Sequence, residues 1–311
     1  MKTGMATRRC FLSALSLLVM TTTLLTTSDC EAATAEPVIT ARSALLFDAN
    51  TGKVLFKKNE NDRMPVASTQ KLLTALIVCE GGDLDHKVVI TQSDTQCEPT
   101  KLYLKPGESY TRRNLLTVLM VKSANDVARA LARDSGGSID GFSEKMNARM
   151  RRLGGNASNF RNPNGLPDNE QYSTARDMAR VARAAYFNPE IRDMIRRKYF
   201  TFQFNSGRTT TLKNTNRVLR AYSFCNGMKT GYTDKSGHCL ISSGSHEGRD
   251  VIAIVFGSNK ARVWPESTAL LAYGLGLSDE QLAAMHLDDQ PPTTTEAAPR
   301  RKRSRAKSRR R

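Results

Sequence analysis

The sequence offers few ligands for a metal ion. It has four histidines in 311 residues, and they are scattered along the chain. These are His86, His238, His246 and His286. A protein metal site needs several ligands at characteristic spacing, and no His or Cys cluster of that kind occurs. We therefore expect no metal centre and no cofactor, and we look for chemistry that side chains perform unaided.

The sequence also lacks a long apolar run. The segment from Phe11 to Met20 follows Arg8 and Arg9 and precedes the small residues Ala33-Thr34-Ala35. Since a membrane-spanning helix needs about 20 apolar residues, the pattern is typical of an export signal instead. A twin-arginine signal and an ordinary secretion signal fit it about equally well. We predict an export signal over residues 1–35 and a location in the periplasm or cell-wall space, either free or peripheral on the membrane.

Acidic residues do not balance the basic ones. The formal net charge is +17, and nine positive charges lie between Arg300 and Arg311. We predict a disordered linker and basic tail over residues 288–311. Such a tail binds polyanions, here an anionic lipid or wall polymer, or it serves only solubility. Export and the lack of interleaved aromatic residues argue against nucleic acid.

Cysteines are few once the leader is set aside. Cys10 and Cys30 belong to the predicted leader, and four cysteines remain: Cys79, Cys97, Cys225 and Cys239. Export permits disulfides, and four cysteines allow three pairings, none of which the spacing selects. Because Cys79 lies in a predicted apolar helix and Cys239 in a predicted apolar strand, we expect buried free thiols.

The hydrophobic pattern predicts strands near both ends of the chain with helices between them. The predicted strands cover residues 38–48, 53–57, 199–204, 225–232, 237–243 and 251–256. The predicted helices cover residues 69–80, 112–122, 126–135, 138–153, 174–186 and 265–273. This order indicates an α+β domain, and we assign it residues 36–287.

The first chemical motif is Ser68-Thr69-Gln70-Lys71, which directly precedes an apolar helical run. Residues three apart share one helical face, so the Ser68 hydroxyl and the Lys71 amine should meet. A serine needs a base to become a nucleophile, and a lysine with a lowered pKa can be that base. The motif alone is weak because Ser-x-x-Lys also occurs on ordinary surface helices.

The second motif is Ser123-Ala124-Asn125, which lies at a predicted break between two helices. Short polar side chains project from such a bend. Taken alone, the motif is also explained by helix capping, for which Ser and Asn are favoured.

The third motif is Lys229-Thr230-Gly231, which opens a hairpin-like segment. The lysine and threonine could hold a carboxylate, and the glycine would let a ligand backbone approach closely. A strand end followed by a turn explains the triplet equally well when it stands alone.

The order and spacing of the three motifs resemble the serine penicillin-recognising enzymes. Within that superfamily the chain is most similar to the D-alanyl-D-alanine carboxypeptidase family of low-molecular-mass penicillin-binding proteins. Residues 44–52, 160–168 and 172–179 carry the resemblance between the motifs. It implies a β-lactamase/transpeptidase-like fold, in which helices flank an antiparallel sheet and a helical subdomain is inserted.

The resemblance implies a serine peptidase that removes the terminal D-alanine of peptidoglycan stem peptides and is acylated by penicillin. Ser68 would be the nucleophile and Lys71 its base, and Ser123 would relay a proton to the leaving amine. Asn125 would orient Lys71 and the substrate amide. The backbone N–H groups of Ser68 and Tyr232 would hold the oxyanion.

The substrate's terminal carboxylate would bind Lys229 and Thr230, with Arg262 as a further candidate. Two positions depart from the family pattern, since Ala124 replaces a usual glycine and Tyr232 a frequent histidine. The segment between Asn125 and Lys229 contains no Glu-x-x-Leu-Asn. Class A β-lactamases deacylate with such a glutamate, so we expect no fast β-lactam hydrolysis.

Two alternatives remain open at this point. A DD-endopeptidase would cut D-alanyl cross-links with the same residues. A non-catalytic wall- or polyanion-binding protein would depend on the basic tail instead, and it would have no need of all three motifs.

Overall fold

The computed structural model describes residues 35–288. The strands are β1 (Ser43–Asp48), β2 (Val54–Lys58), β3 (Lys87–Val89), β4 (Ser109–Thr111), β5 (Tyr199–Gln203), β6 (Thr209–Lys213), β7 (Cys225–Thr233), β8 (Gly237–His246) and β9 (Arg249–Ser258). The helices are α1 (Lys71–Glu80), α2 (Gln92–Thr95), α3 (Arg112–Val121), α4 (Asn125–Gly136), α5 (Ile139–Arg152), α6 (Ala175–Phe187), α7 (Pro189–Ile195), α8 (Arg217–Ala221), α9 (Val263–Leu275) and α10 (Asp279–Ala284).

The main sheet is antiparallel and has the order β2-β1-β9-β8-β7. Its two faces belong to different cores, because successive strand residues point to opposite sides. On β9, Ile252, Ile254 and Phe256 join the core of the helical subdomain. The alternate residues Ala253 and Val255 join the core formed with α9. Burial on both faces explains why β9 reads as a continuous apolar run.

The helical subdomain is built around α1. Leu72, Leu73 and Leu76 of this helix are buried in the core, and α1 contacts α3, α4, α5 and α6. Two small two-stranded sheets, β3-β4 and β5-β6, accompany the helices. Because α1 is enclosed on most sides, its first residues are held firmly beside the edge strand β7, which contacts the turn before α1.

The predicted α+β class and the arrangement of helices around an antiparallel sheet are confirmed. The pattern missed the short helices α2, α7, α8 and α10 and the three-residue strands β3 and β4. It also missed β6, whose threonine-rich sequence carries little apolar signal. The first strand was predicted to begin at Val38, but β1 begins at Ser43. The reason is that the amides of Thr40 and Ala41 donate to the Glu266 carboxylate rather than to a neighbouring strand.

The predicted export signal and basic tail lie outside the described residues, apart from the residues at their inner edges. Within residues 35–288, no helix is long and apolar enough to cross a membrane. The four cysteines of this part of the chain are free thiols. Burial was expected of Cys79 and Cys239; Cys239 is buried, and so is Cys225, whereas Cys79 and Cys97 are only partly buried.

Glu266 of α9 links the segment before β1 to the end of β9 by hydrogen bonds. Its carboxylate is buried and accepts from Thr40 N and Oγ1 at 2.6 and 2.7 Å, and from Ala41 N at 3.0 Å. The Ser258 hydroxyl donates to the second oxygen at 2.5 Å. One buried carboxylate therefore satisfies four donors from two distant segments.

We expect Glu266→Ala to lower the free energy of unfolding by about 3 kcal/mol, because it leaves buried donors without an acceptor. Glu144→Ala is the matched control, since Glu144 is exposed on α5 and should change stability by less than about 0.5 kcal/mol. Urea denaturation of both variants measures the difference. Equal stability of the two variants would contradict this role for Glu266.

Candidate active site

Ser68 lies in a 3-10 turn, Ala67–Gln70, that leads directly into α1. The sequence predicted a helix start here, and the structure adds the tighter turn before it. The Ser68 hydroxyl oxygen is 2.7 Å from Lys71 Nζ, as the spacing of three residues predicted. Ser68 Oγ also lies 3.1 Å from the main-chain oxygen of Asn164. The nucleophile and the base are therefore in direct contact.

Lys71 is completely buried, and its amine makes three polar contacts. Besides Ser68, Nζ donates to Asn125 Oδ1 at 2.8 Å and to the Asn164 carbonyl at 2.6 Å. Burial holds the pKa of Lys71 well below its ordinary value, and the charge of Lys229 lowers it further. A neutral amine has two N–H groups and one lone pair. The two carbonyl oxygens take both N–H groups, so the lone pair is left for the Ser68 hydroxyl.

Lys229 of β7 is the second buried amine of the site. Burial lowers its pKa to about 7, and Nζ donates to the Thr230 carbonyl at 2.9 Å. The neighbouring Thr230 hydroxyl lies 2.6 Å from that of Thr215. Thr230 and Thr215 line this end of the cleft, whereas the buried Lys229, which follows Met228 on the same strand, is not among the lining residues. Its amine gains or loses its charge near neutral pH.

Ser123 lies between α3 and α4 in a left-handed conformation, with φ at 65°. It lines the same cleft as Ser68 and Thr230. In the described part of the chain, no direct hydrogen bond joins its hydroxyl to Ser68 or Lys71. The structure thus brings Ser123 into the cleft, and the hydroxyl remains available to a ligand.

Asn125 is the polar group that connects two walls of the cleft. Its Oδ1 accepts from Lys71, while Nδ2 donates to the carbonyls of Glu98 and Pro99 at 2.9 and 3.1 Å. Its backbone N–H donates to the Thr100 carbonyl at 2.7 Å. The side chain is thus fixed with its oxygen toward the base.

Asp126, which the sequence interpretation did not single out, anchors the same loop. Its fully buried carboxylate accepts from the amides of Leu102, Tyr103 and Leu104 at distances between 2.8 and 3.2 Å. Because the preceding residues Pro99 and Thr100 line the cleft, Asp126 holds one cleft wall in place. The adjacent motif at positions 123–125 points to this part of the chain but not to the role of Asp126.

Gly231 and Gly165 enclose the turn that carries Ser68. A Cβ atom on Gly231 would lie 2.8 Å from Ser68 N and 3.0 Å from the Cβ of Ala67. A Cβ on Gly165 would collide with the Ala67 carbonyl from another direction. We predicted that Gly231 admits a ligand backbone. The structure adds a second reason for glycine, which is the close approach of the protein's own nucleophile turn, and the approach of a ligand stays a prediction.

Tyr232 and Ala124, the two departures from the family pattern, have different surroundings. Tyr232 lines the cleft, is 55% exposed and stacks on His238 with ring centres 4.5 Å apart. Its hydroxyl donates to Asp234 at 2.7 Å. Ala124 is fully buried in the apolar core. Only the tyrosine is therefore placed to touch a substrate.

The complete cleft has a volume of about 360 Å³. Sequence reasoning missed several of its lining residues: Thr100, Lys122, Leu166, Thr215, His238 and Trp264. They come from loops and from the first residues of β8 and α9, where no hydrophobic period marks them. Arg262, named as a carboxylate candidate, is exposed and does not line the cleft, whereas the next residues, Val263 and Trp264, do.

The part of the chain from 35 to 288 contains no group of three His, Cys, Asp or Glu side chains arranged to hold a metal ion. The polar groups that converge in the cleft are serine and threonine hydroxyls, two buried amines and several amides. Such a set suits nucleophilic acyl transfer with a lysine base.

Comparison with known proteins agrees with this geometry. The family described as D-alanyl-D-alanine carboxypeptidase matches residues 30–260. D-alanyl-D-alanine carboxypeptidase DacF of Bacillus subtilis is 33% identical over 231 residues, which are 73% of this chain and 59% of that protein. The D-alanyl-D-alanine endopeptidase of Escherichia coli is 30% identical over 248 residues, covering 75% of this chain and 79% of that protein.

Among solved structures, the Streptomyces K15 DD-transpeptidase superposes with a TM-score of 0.75 at 29% identity. The match covers 78% of this chain and all of that one. The chain thus spans less than two thirds of DacF but the whole of the K15 enzyme. The predicted resemblance is confirmed, and the chain belongs to the D-alanyl-D-alanine carboxypeptidase family.

Proposed function

We propose that the protein is a serine D-alanyl-D-alanine carboxypeptidase that removes the terminal D-alanine of peptidoglycan stem peptides. The observation that carries this proposal is the 2.7 Å contact between Ser68 Oγ and the buried Lys71 amine. The names of the relatives support the same activity.

Acylation begins with proton transfer from Ser68 to Lys71. The lone pair of the neutral amine accepts the hydroxyl proton as Ser68 Oγ attacks the carbonyl carbon of the penultimate D-alanine. Lys71 then carries a positive charge, which its contacts with Asn125 Oδ1 and the Asn164 carbonyl stabilise. Lys71 is therefore neutral before the proton transfer, and two fixed carbonyl oxygens stabilise its positive charge afterwards.

The oxyanion of the tetrahedral intermediate would be held by the backbone N–H groups of Ser68 and Tyr232. The close approach of Gly231 to Ser68 N supports this pairing, since it brings β7 beside the nucleophile turn. Any side chain at position 231 would separate the two donors.

The leaving amine must gain a proton as the C–N bond breaks. Ser123 lines the same cleft as Ser68, which supports a role for its hydroxyl in passing the Lys71 proton to that amine. Water then hydrolyses the Ser68 ester, with Lys71 acting as base again.

The terminal carboxylate of the substrate would bind at the Lys229 end of the cleft. Thr230 and Thr215 offer hydroxyl donors there, and the nearby Lys229 amine supplies positive charge. The pKa of Lys229 is about 7, and a bound carboxylate favours its charged form.

β-Lactams are expected to acylate Ser68, and the absence of the class A glutamate motif between Asn125 and Lys229 supports slow release. The N-terminal leader supports a location outside the cytoplasmic membrane. Binding of the tail from Arg300 to Arg311 to an anionic lipid or wall polymer remains a prediction, because those residues lie outside the described part of the chain.

Ser68→Ala should abolish covalent labelling by penicillin and lower the release of D-alanine on the order of 10⁶-fold, because the attacking oxygen is gone. Mass spectrometry after exposure to penicillin measures the adduct, and D-alanine release is assayed in parallel. Ser206→Ala, at an exposed turn residue, is the matched control and should keep both properties. Labelling that persists in Ser68→Ala would refute the nucleophile.

Ser123→Ala should slow the hydrolysis of amide substrates by about 10²- to 10⁴-fold in kcat, because general acid assistance to the amine is lost. A thioester analogue with the same acyl group releases a thiolate that needs no proton. Its turnover should therefore change far less. Steady-state kinetics with both substrates test the relay, and an equal loss for amide and thioester would disprove it.

Lys229→Gln should move the acidic limb of β-lactam acylation to higher pH. The substitution removes the positive charge that lowers the pKa of Lys71, while burial, the larger cause, remains. The pKa of Lys71 then rises, so more alkaline conditions are needed to deprotonate the base.

Second-order acylation rates measured against pH report this limb for the free enzyme. Lys229→Arg keeps a positive charge and is the control, with a smaller displacement of the limb. A limb that stays in place in Lys229→Gln would show that Lys229 does not influence the base.

A further inference from the structure

A second cavity of about 470 Å³ opens beside the catalytic cleft. It lies between α8, the start of α9 and Leu282 of α10, and we call it the Trp264 groove. Most of its lining is apolar, with Val218, Ala221 and Ala269 among the lining residues. Trp264 lines both this groove and the catalytic cleft. The two spaces therefore share one wall residue.

The chain reaches the edge of the Trp264 groove just before the described residues end. Leu287 N donates to the Ala221 carbonyl at 2.7 Å. His286 pairs with Tyr222 in an antiparallel bridge, and their ring centres are 5.2 Å apart. Ala221 and Tyr222 both line the groove, and the next residue of the chain, Asp288, is exposed. The segment that follows Asp288 therefore starts at the groove.

The direction of the chain at this point leads along α8. Ser223 N donates to the Met285 carbonyl at 3.0 Å, and two residues later Leu287 has reached Ala221. Because the pairing is antiparallel, each further residue lies beside an earlier part of α8. A chain that keeps this direction runs from Ala221 toward Arg217, the first residue of α8, which also lines the groove.

A few residues after Asp288 are enough to fill the groove. The five residues of α8 cover roughly 7 Å, because an α-helix rises about 1.5 Å per residue. An extended polyproline chain rises about 3 Å per residue, so residues 289–293 span roughly 15 Å. They can therefore reach Arg217, whose guanidinium lies 5.4 Å from the centre of the Trp264 ring.

The residue types of this segment suit an aromatic groove. Residues 289–293 include the adjacent prolines Pro291 and Pro292. Proline-rich segments bind grooves lined by aromatic side chains, because their extended conformation is largely formed before binding and little entropy is lost. Trp264 and Tyr222 supply the aromatic surface here.

The charges of the segment and the groove are complementary. Between residues 288 and 299 the chain carries the carboxylates of Asp288, Asp289 and Glu296 and has no Lys or Arg. Among the described residues that line the groove, Arg217 is the only charged one. The basic residues after Pro299 carry the same charge as Arg217 and fit the groove less well.

We propose that residues 289–293 of the same chain occupy the Trp264 groove, with Pro291 and Pro292 packed against the indole of Trp264. Docking would order the first part of the segment for which the sequence predicts disorder. It would also hold Trp264, a wall residue of the cleft, from the side opposite the cleft. The basic residues would then begin close to the active site, since residues 294–299 span at most about 20 Å.

The strength of this contact depends on the covalent link. Five residues bury too little surface for a stable complex between separate molecules. Attachment of the segment at Leu287 raises its effective concentration at the groove to about the millimolar range. An affinity tighter than about 1 mM for the free peptide would therefore keep the groove mostly filled.

Trp264 is the only tryptophan among the 311 residues, so its fluorescence reports the state of the groove. In the full chain, the double substitution Pro291→Ser and Pro292→Ser should shift the emission to longer wavelength, because the indole becomes more exposed to water. Pro299→Ser is the matched control. It removes a proline from the same segment outside the docked residues, so its emission should equal that of the wild type. Far-UV circular dichroism checks that the fold is unchanged in every variant.

A synthetic peptide of residues 288–299 contains no aromatic residue and can be added to the double variant. It should return the emission to shorter wavelength with a Kd on the order of 1 mM or lower. The same peptide with serine in place of Pro291 and Pro292 should have no effect. Dilution of the wild type should leave its emission unchanged, because the contact lies within one chain.

Four results would overturn the proposal. Equal emission of the wild type and the double variant would show that the two prolines do not cover the indole. A shift of the same size in Pro299→Ser would show that the docked prolines have no special role. A double variant that does not respond to the peptide would exclude binding of this segment. Wild-type emission that changes on dilution would assign the groove to a second copy of the chain. None of these measurements requires catalysis, so the failure of the proposed function would leave them unaffected.

Discussion

The burial of two lysine amines in one small space is the constraint on which the site depends. Lys71 and Lys229 are both fully enclosed, and water cannot stabilise a charge on either. Burying a charged amine is costly, so burial lowers the pKa of both lysines, and the positive charge that Lys229 carries below its pKa of about 7 lowers that of Lys71 further. Because burial lowers the pKa of Lys71, this pKa depends on the residues that pack around the amine. The surrounding domain excludes water from the Lys71 amine and fixes its orientation.

Three separate parts of the chain provide that control. α1 supplies the base from the centre of the helical core, β7 supplies Lys229 and the glycine that faces the nucleophile turn, and the Asp126 anchor holds the loop that fixes Asn125. None of these parts could do so alone, because each contributes one side of the enclosure. The cleft therefore exists only when the sheet and the helical subdomain are assembled.

Much of the site was predictable from sequence because its chemistry lies in short motifs on regular elements. The Ser68–Lys71 contact follows from helical spacing, and the α+β order follows from hydrophobic periods. The roles of Asp126 and Asn164 were not predictable. Asp126 acts through backbone amides more than twenty positions upstream, and Asn164 acts through a main-chain carbonyl. Neither role is marked by a pattern of residue types. Trp264 lines the cleft because of how α9 packs, which the sequence pattern also does not show.

The main-chain carbonyl of Asn164 limits which substitutions can weaken the hydrogen bond that it accepts from Lys71. An acceptor that belongs to the peptide backbone is present whatever residue occupies position 164, so no single codon change removes it. Substitutions that weaken this hydrogen bond must instead affect residues that determine the conformation of the loop around Asn164. Gln171 is one such residue, since its side-chain oxygen accepts from the amides of Arg161 and Asn162. A substitution at Gln171 would thus act on the Lys71 amine from outside the cleft, because Gln171 is not among the residues that line it.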